Sequence, residues 1–176
     1  MRKQILFAIL VMALLSIFNI SCKKENQQKQ QEEKGAASVV GNAQKQAPDP
    51  YNLDVELYGQ GNEKGDIKFR QDPDPAKIVT LNTKIQHLLP NHEYKLQRAV
   101  DVIIDGNCTG TAWLTLGLGS TPQSIMTNGG GNGHEELWRD LSAVPSGTVF
   151  DIHFRVLDAA NMAVVLTSDC YQFTVR

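Results

Sequence analysis

Residues able to bind or coordinate are densest in Thr127-Asn128-Gly129-Gly130-Gly131-Asn132-Gly133-His134-Glu135-Glu136. Four glycines in five positions allow positive φ and close backbone approach to a ligand. Asn128 and Asn132 add amide donors and acceptors, and His134 adds an imidazole. A binding-loop rim is one expectation and a plain hairpin connection is the other. The stretch lacks the Lys-Ser/Thr ending of a phosphate loop and precedes no clear helix, which excludes nucleotide binding through it. His134, Glu135 and Glu136 are of metal-ligand type, as are His87, His92 and His153. None of them has a His-x-His or His-Glu-x-x-His spacing. Asp72, Asp74, Asp105 and Asn107 offer oxygen ligands for Ca²⁺, but no twelve-residue loop closed by Glu follows. No metal and no cofactor are expected.

The two tryptophans are the other candidates. Trp113 lies between Thr111 and Thr115, and Trp138 lies between Glu136 and Asp140. A Trp that is apolar on one side and wet on the other suits a sugar-stacking or protein-binding face. The plain structural alternative puts Trp113 in a core, with its threonine parity packed on a second sheet. Catalytic patterns are absent: there is no Gly-x-Ser-x-Gly elbow, and Cys108 and Cys170 are an even pair suited to a disulfide. Two buried thiols are the alternative. A bridge would close a loop of about 60 residues, a contribution on the order of 4 kcal/mol in the chain-entropy picture. Asp101, Asp151 and Asp169 read as water-facing strand positions. The chain is expected not to be an enzyme.

Charge narrows the partners. The 176 residues carry a formal net charge of −2, but residues 1–47 hold seven Lys/Arg and three Glu, leaving the remainder at −6. An acidic domain has no electrostatic footprint for nucleic acid, and that class is rejected.

The N-terminus supplies an address. Arg2 and Lys3 precede an apolar run from Ile5 to Phe18 broken only by Ser16. Its length suits a secretory leader and is too short to span a bilayer as a helix. Small Ser21 precedes Cys22, and Lys23-Lys24-Glu25 follows at once. Asn19-Ile20-Ser21-Cys22 resembles the lipobox of bacterial lipoproteins, in the loose form associated with Bacteroidota, with Asn19 where an aliphatic residue is usual. The resemblance covers about the first 22 residues. It implies that Cys22 is acylated, becomes the new N-terminus and anchors the protein. Each buried acyl methylene contributes about 0.8 kcal/mol. Lys23 and Lys24 stand where an inner-membrane retention Asp would be. The expected location is therefore the outer membrane, on its periplasmic or surface side.

Residues 1–21 thus read as signal peptide. Residues 22–50 read as the lipidated cysteine and a disordered tether. The tether is dominated by Gln, Lys, Glu, Ala and Gly, with Val39-Val40 as its one apolar pair. Its reach is about 30 Å as a flexible coil and approaches ~100 Å stretched.

Residues 51–176 must position the candidate groups. Period-2 alternation recurs between turn signals. Leu53, Val55 and Leu57 form one apolar parity. Ile67 and Phe69 form the next, followed by Val79, Leu81, Ile85 and Leu89. His87 falls in that last parity and reads as a core histidine. Tyr94, Leu96, Val100, Val102 and Ile104 share one face, as do Ala112, Leu114, Leu116 and Leu118. A loop runs to Gly133, and Leu137 to Leu141 is a short strand or a turn of helix. Phe150, Ile152, Phe154 and Val156 mark the clearest late strand. The expected fold is all-β, an immunoglobulin-like β-sandwich of seven or eight strands, with a small antiparallel β-barrel as the alternative. Leu89-Pro90-Asn91-His92-Glu93-Tyr94 resembles the Leu-x-Pro-x-x-x-Tyr corner of fibronectin type III domains, with Pro90 directly after Leu89. The resemblance implies a Tyr94 hydroxyl bonded back across a corner.

The expected function is a lipid-anchored envelope domain that binds a protein or glycan, with Trp113, Trp138, Asn128, Asn132 and His134 as candidate contacts. Two other classes stay open. One is an accessory glycan- or metal-dependent enzyme using Glu135, Glu136 and neighbouring Asp residues. The other is a purely structural envelope lipoprotein.

Overall fold

The computed structural model describes residues 49–176. The leader, Cys22 and nearly all of the tether lie outside the described residues. Twelve strands follow in chain order and no helix occurs among the described residues. They are β1 (Asn52–Tyr58), β2 (Lys64–Gln71), β3 (Ile78–Gln86), β4 (Glu93–Asp101), β5 (Leu114–Thr115), β6 (Gly117–Leu118), β7 (Thr121–Pro122), β8 (Ile125–Met126), β9 (Gly133–Asp140), β10 (Val149–Asp158), β11 (Val164–Ser168) and β12 (Tyr171–Thr174).

All twelve belong to one sheet that curls nearly into a barrel, as the all-β expectation required. The path runs β5-β4-β10-β11-β1-β2-β3-β9-β6-β7, with β12 beside β10 and β8 beside β4. Every pairing is antiparallel except that of β6 with β9. Short segments bring the ends together. β5 pairs with β4, and β6, beginning two residues after β5 ends, pairs with β9. Likewise β8 pairs with β4, and the next residue, Thr127, bridges Gly133 at the start of β9. The two long edge strands are therefore linked through pieces of chain rather than through a direct ladder.

The core follows the alternation. Leu53, Val55, Leu57, Ile67, Phe69, Val79, Leu81, Ile85, Leu96, Ile152, Phe154 and Val156 are all buried. Phe69 sits edge-on to Phe173 and Phe154, with ring centroids 4.7 and 6.1 Å apart. Edge-to-face contacts of this kind add about 1 kcal/mol beyond burial. Tyr94 is buried, and its hydroxyl accepts a 3.0 Å bond from the Leu89 N–H, the corner contact expected from those six residues.

Several parity expectations fail where strands end. β3 stops at Gln86, His87 has φ +61°, and both His87 and Leu89 are exposed. His87 is therefore not a core histidine. β4 stops at Asp101, so Val102 and Ile104 leave the core face and are exposed. Ala112 and Leu118 are also exposed, because the chain there is cut into two-residue strands that change partner. Leu137 lies within an eight-residue strand that begins at Gly133, so His134, Glu135 and Glu136 are strand rather than loop residues. Asp151 is fully buried and not water-facing.

Candidate functional site

Side chains suited to recognition gather in three places among the described residues: one outer sheet face, a strap across another, and the mouth of an interior cavity.

The outer face is built by register. Pairing aligns Asn52, Arg70, Thr80 and Trp138 in one row across β1, β2, β3 and β9. The next row is Asp54, Lys68, Asn82 and Glu136, and the third is Glu56, Asp66, Lys84 and His134. Because successive strand residues alternate sides, all twelve project away from the core. The Asn82 amide donates from Nδ2 to Glu136 Oε1 at 3.2 Å, and its Oδ1 lies 3.0 Å from His134 Nε2. A carboxylate only accepts, which fixes the amide orientation and makes His134 Nε2 the donor to Asn82. Arg70 and Lys68 both pair with Asp54. The Arg70 bond, above all, holds the Asp54 carboxyl below the usual carboxylate range. Trp138 ends the first row at 39% exposure. The Gly119 N–H donates to the Trp138 carbonyl, and a Cβ at Gly119 would stand 2.6 Å from the indole. The glycine turn therefore packs one part of the ring and leaves the rest to solvent.

The strap is residues 102–113, which cross the outward face of β4 and β10. Asp151 Oδ2 accepts the Asp105 and Gly106 N–H groups, and Asp101 Oδ2 accepts those of Thr109 and Gly110. His153 Nε2 donates to the Gly110 carbonyl at 3.1 Å. Cys108 is bonded to Cys170, as the even cysteine pair suggested. Trp113 closes the strap between the His153 ring, 4.6 Å away, and the Arg155 guanidinium, 3.9 Å from its centroid. It is half-buried, neither core nor free platform.

The glycine-rich stretch forms the tight turn between β8 and β9. Asn128 Oδ1 accepts the Gly130 and Asn132 N–H groups, and the Asn128 N–H donates to the Asn132 carbonyl. The Asn128 side chain therefore serves the turn, while Asn132 and His134 are exposed. Glu135 and Glu136 are neighbours in a strand and point to opposite faces, so they do not converge as a carboxylate pair. Among the described residues no three or more His, Cys, Asp or Glu side chains gather as a metal set.

The cavity, of about 80 Å³, opens inside the curled sheet. Phe69, Leu81, Phe154 and Phe173 form its buried floor, and half-buried Val100, Leu141, Val144 and Phe150 form its mouth. Arg98 and Arg139 are the charged residues that line it. Sequence reasoning missed both. The signal was present, because Arg98 shares the parity of Tyr94, Leu96 and Val100, and Arg139 shares that of Leu137 and Leu141. A cation in an apolar parity is an inward-facing charge.

A scan against protein-family models finds no match to this chain, and a search of curated proteins finds no significant relative.

Proposed function

We propose that this chain is a lipid-anchored envelope protein whose all-β domain binds a glycan on the outer face of β1, β2, β3 and β9. The observation that carries the reading is the Trp138 row beside the ordered His134-Asn82-Glu136 chain. An exposed indole offers a flat apolar surface to a sugar ring. Amide, carboxylate and imidazole groups held within hydrogen-bond reach of one another supply donors and acceptors for hydroxyls. The leader and the lipobox-like Asn19-Ile20-Ser21-Cys22 support the anchor, and the composition of residues 22–50 supports a tether that lifts the domain off the membrane.

A protein partner is the second reading, favoured by a different observation. Val102, Ile103 and Ile104 are consecutive and exposed at 78%, 73% and 40%, on a strap held by the disulfide and by Asp101 and Asp151. Rigidly presented apolar residues of this kind suit an interface core.

Two experiments test the proposal. Cys22→Ala should move the protein from the membrane to the soluble envelope fraction, and unchanged fractionation removes the anchor. Glycan-array binding by the full chain, with Trp138→Ala and Asn82→Ala beside it, tests the face. Binding lost in both variants supports the glycan reading. Binding lost instead on Ile103→Asp in a pull-down from envelope extract favours the protein reading.

A further inference from the structure

Arg98 and Arg139 share the mouth of an apolar cavity, and neither has an ion pair among the described residues. Arg139 donates from Nη1 to the Gly119 carbonyl at 3.1 Å, whereas Arg98 makes no hydrogen bond among the described residues. Register explains why Arg98 faces inward. It pairs with Phe154 on β10 and Leu114 on β5, and Phe154 belongs to the cavity floor. Arg139 pairs with Val79 on β3, another lining residue. Desolvation lowers the Arg98 pKa, and the like charge of Arg139 lowers it further. Two guanidinium groups at an apolar opening, neither within ion-pair distance of a carboxylate among the described residues, leave positive charge there that the more distant Asp140 carboxylate offsets only in part.

We propose that this cavity binds a small amphiphile, with its oxyanion head between Arg98 and Arg139 and its short apolar tail on the Phe69, Phe154 and Phe173 floor. Charge complementarity selects the head. Guanidinium presents a planar fork that matches carboxylate or phosphate oxygens, and an anion there relieves the repulsion between the two arginines. Size selects the tail. The cavity, at about 80 Å³, is smaller than the ~150 Å³ space known to hold a benzene ring. A linear tail of a few carbons therefore fits better than a ring. The lining is almost wholly apolar, and the two arginines are its charged members. Carboxylate and phosphate monoester heads share this chemistry. The site is separate from the glycan face, because Trp138 projects outward from β9 whereas Arg139 projects inward.

The test is equilibrium dialysis of the full chain in lipid nanodiscs, with empty nanodiscs as the blank. The probes are radiolabelled pentanoate and butyl phosphate, against pentan-1-ol (tail without charge) and acetate (head without tail). The expected result is saturable binding of pentanoate or butyl phosphate at least tenfold tighter than of either control. The tighter of the two names the head group. Arg98→Gln and Arg139→Gln should each weaken the anion at least tenfold and leave pentan-1-ol unchanged, while Arg98→Lys retains part of the binding. Asn82→Ala should not change it, which separates this site from the glycan face. Absence of saturable anion binding to the wild-type chain overturns the proposal. So does full binding in the Arg98→Gln/Arg139→Gln double variant. If Arg98→Gln fails to fold, Arg139→Gln and Arg98→Lys carry the same comparison.

Discussion

The Arg155 guanidinium lies over the Trp113 ring at 3.9 Å from its centroid, and its Nε donates to Gln97 Oε1 at 2.8 Å. Gln97 in turn donates from Nε2 to Thr115 Oγ1. One cation thus ties the end of the strap to β4 and to β5. A cation–π contact at a half-exposed site contributes about 0.5 kcal/mol, and a hydrogen bond to a charged group about 1.5 kcal/mol. Arg155→Ala should therefore lose about 2 kcal/mol in urea unfolding at unchanged slope. Arg155→Lys should recover only part, because an ammonium cannot stack as a plane. Equal stability of Arg155→Ala and wild type would show that the stack is incidental.

The Cys108–Cys170 bond closes 62 residues of sequence separation and fixes the middle of the strap. Restricting a loop of that length in the unfolded chain contributes on the order of 4 kcal/mol. Cys108→Ser/Cys170→Ser should lower the urea midpoint markedly, and reductant should do the same to the wild type while leaving the double variant unmoved. Alkylation mass spectrometry on the unreduced exported protein should find neither thiol free.

Burial raises the Tyr94 pKa above its ordinary value of 10.0. The folded state therefore holds this proton more tightly than the unfolded chain does. The resulting stability is fully present below about pH 10 and is lost as pH rises through the folded value. Tyr94→Phe should remove that part of the alkaline dependence. It should also cost about 1 kcal/mol at neutral pH through loss of the Leu89 bond. A pH-stability curve that keeps the same alkaline slope in Tyr94→Phe would assign the effect elsewhere.

Gly131 and Gly129 are two residues apart and make opposite demands. Gly131 has φ +73°, and a Cβ there would stand 2.1 Å from the Leu88 carbonyl oxygen. Gly129 would meet nothing within 4 Å. Gly131→Ala should destabilise by about 2 kcal/mol or more, whereas Gly129→Ala should be neutral or slightly stabilising. Differential scanning calorimetry of the pair distinguishes a fixed turn from a loose connection.

Asp158 is held below its ordinary value of 3.8, first by the His92 imidazole beside it and then by the Ala160 N–H. His92 Nε2 lies 3.0 Å from Asp158 Oδ1. A depressed carboxyl contributes stability that is present above about pH 4 and lost as pH falls through the folded value. Asp158→Asn should flatten part of the stability loss in that acid range. His92→Gln should do so less, because the Ala160 bond remains.

Much was legible in the sequence, and for one reason: where a strand is long and one side is buried, alternation fixes which residues enter the core. That held for Leu53-Val55-Leu57, for Ile67 and Phe69, and for Ile152-Phe154-Val156. The cysteine pair was readable because residues 51–176 hold two cysteines and so allow one pairing, and the Leu89-to-Tyr94 corner because it is set within six residues. Alternation stopped being informative at Leu89, Val102 and Leu118. There the chain leaves a ladder or changes its strand partner, and nothing in the local pattern says where. The recognition surfaces were less accessible still. Only pairing of β1, β2, β3 and β9, residues far apart in sequence, brings Asn82 to His134 and Glu136 and places Trp138 in the row of Arg70. Arg98 and Arg139 are 41 positions apart. They reach one cavity mouth because the short strands after Trp113 draw the edges of β4 and β9 together. Side-chain period belongs to the sequence; which strands become neighbours depends on closure of the whole sheet, and only the tertiary structure decides it.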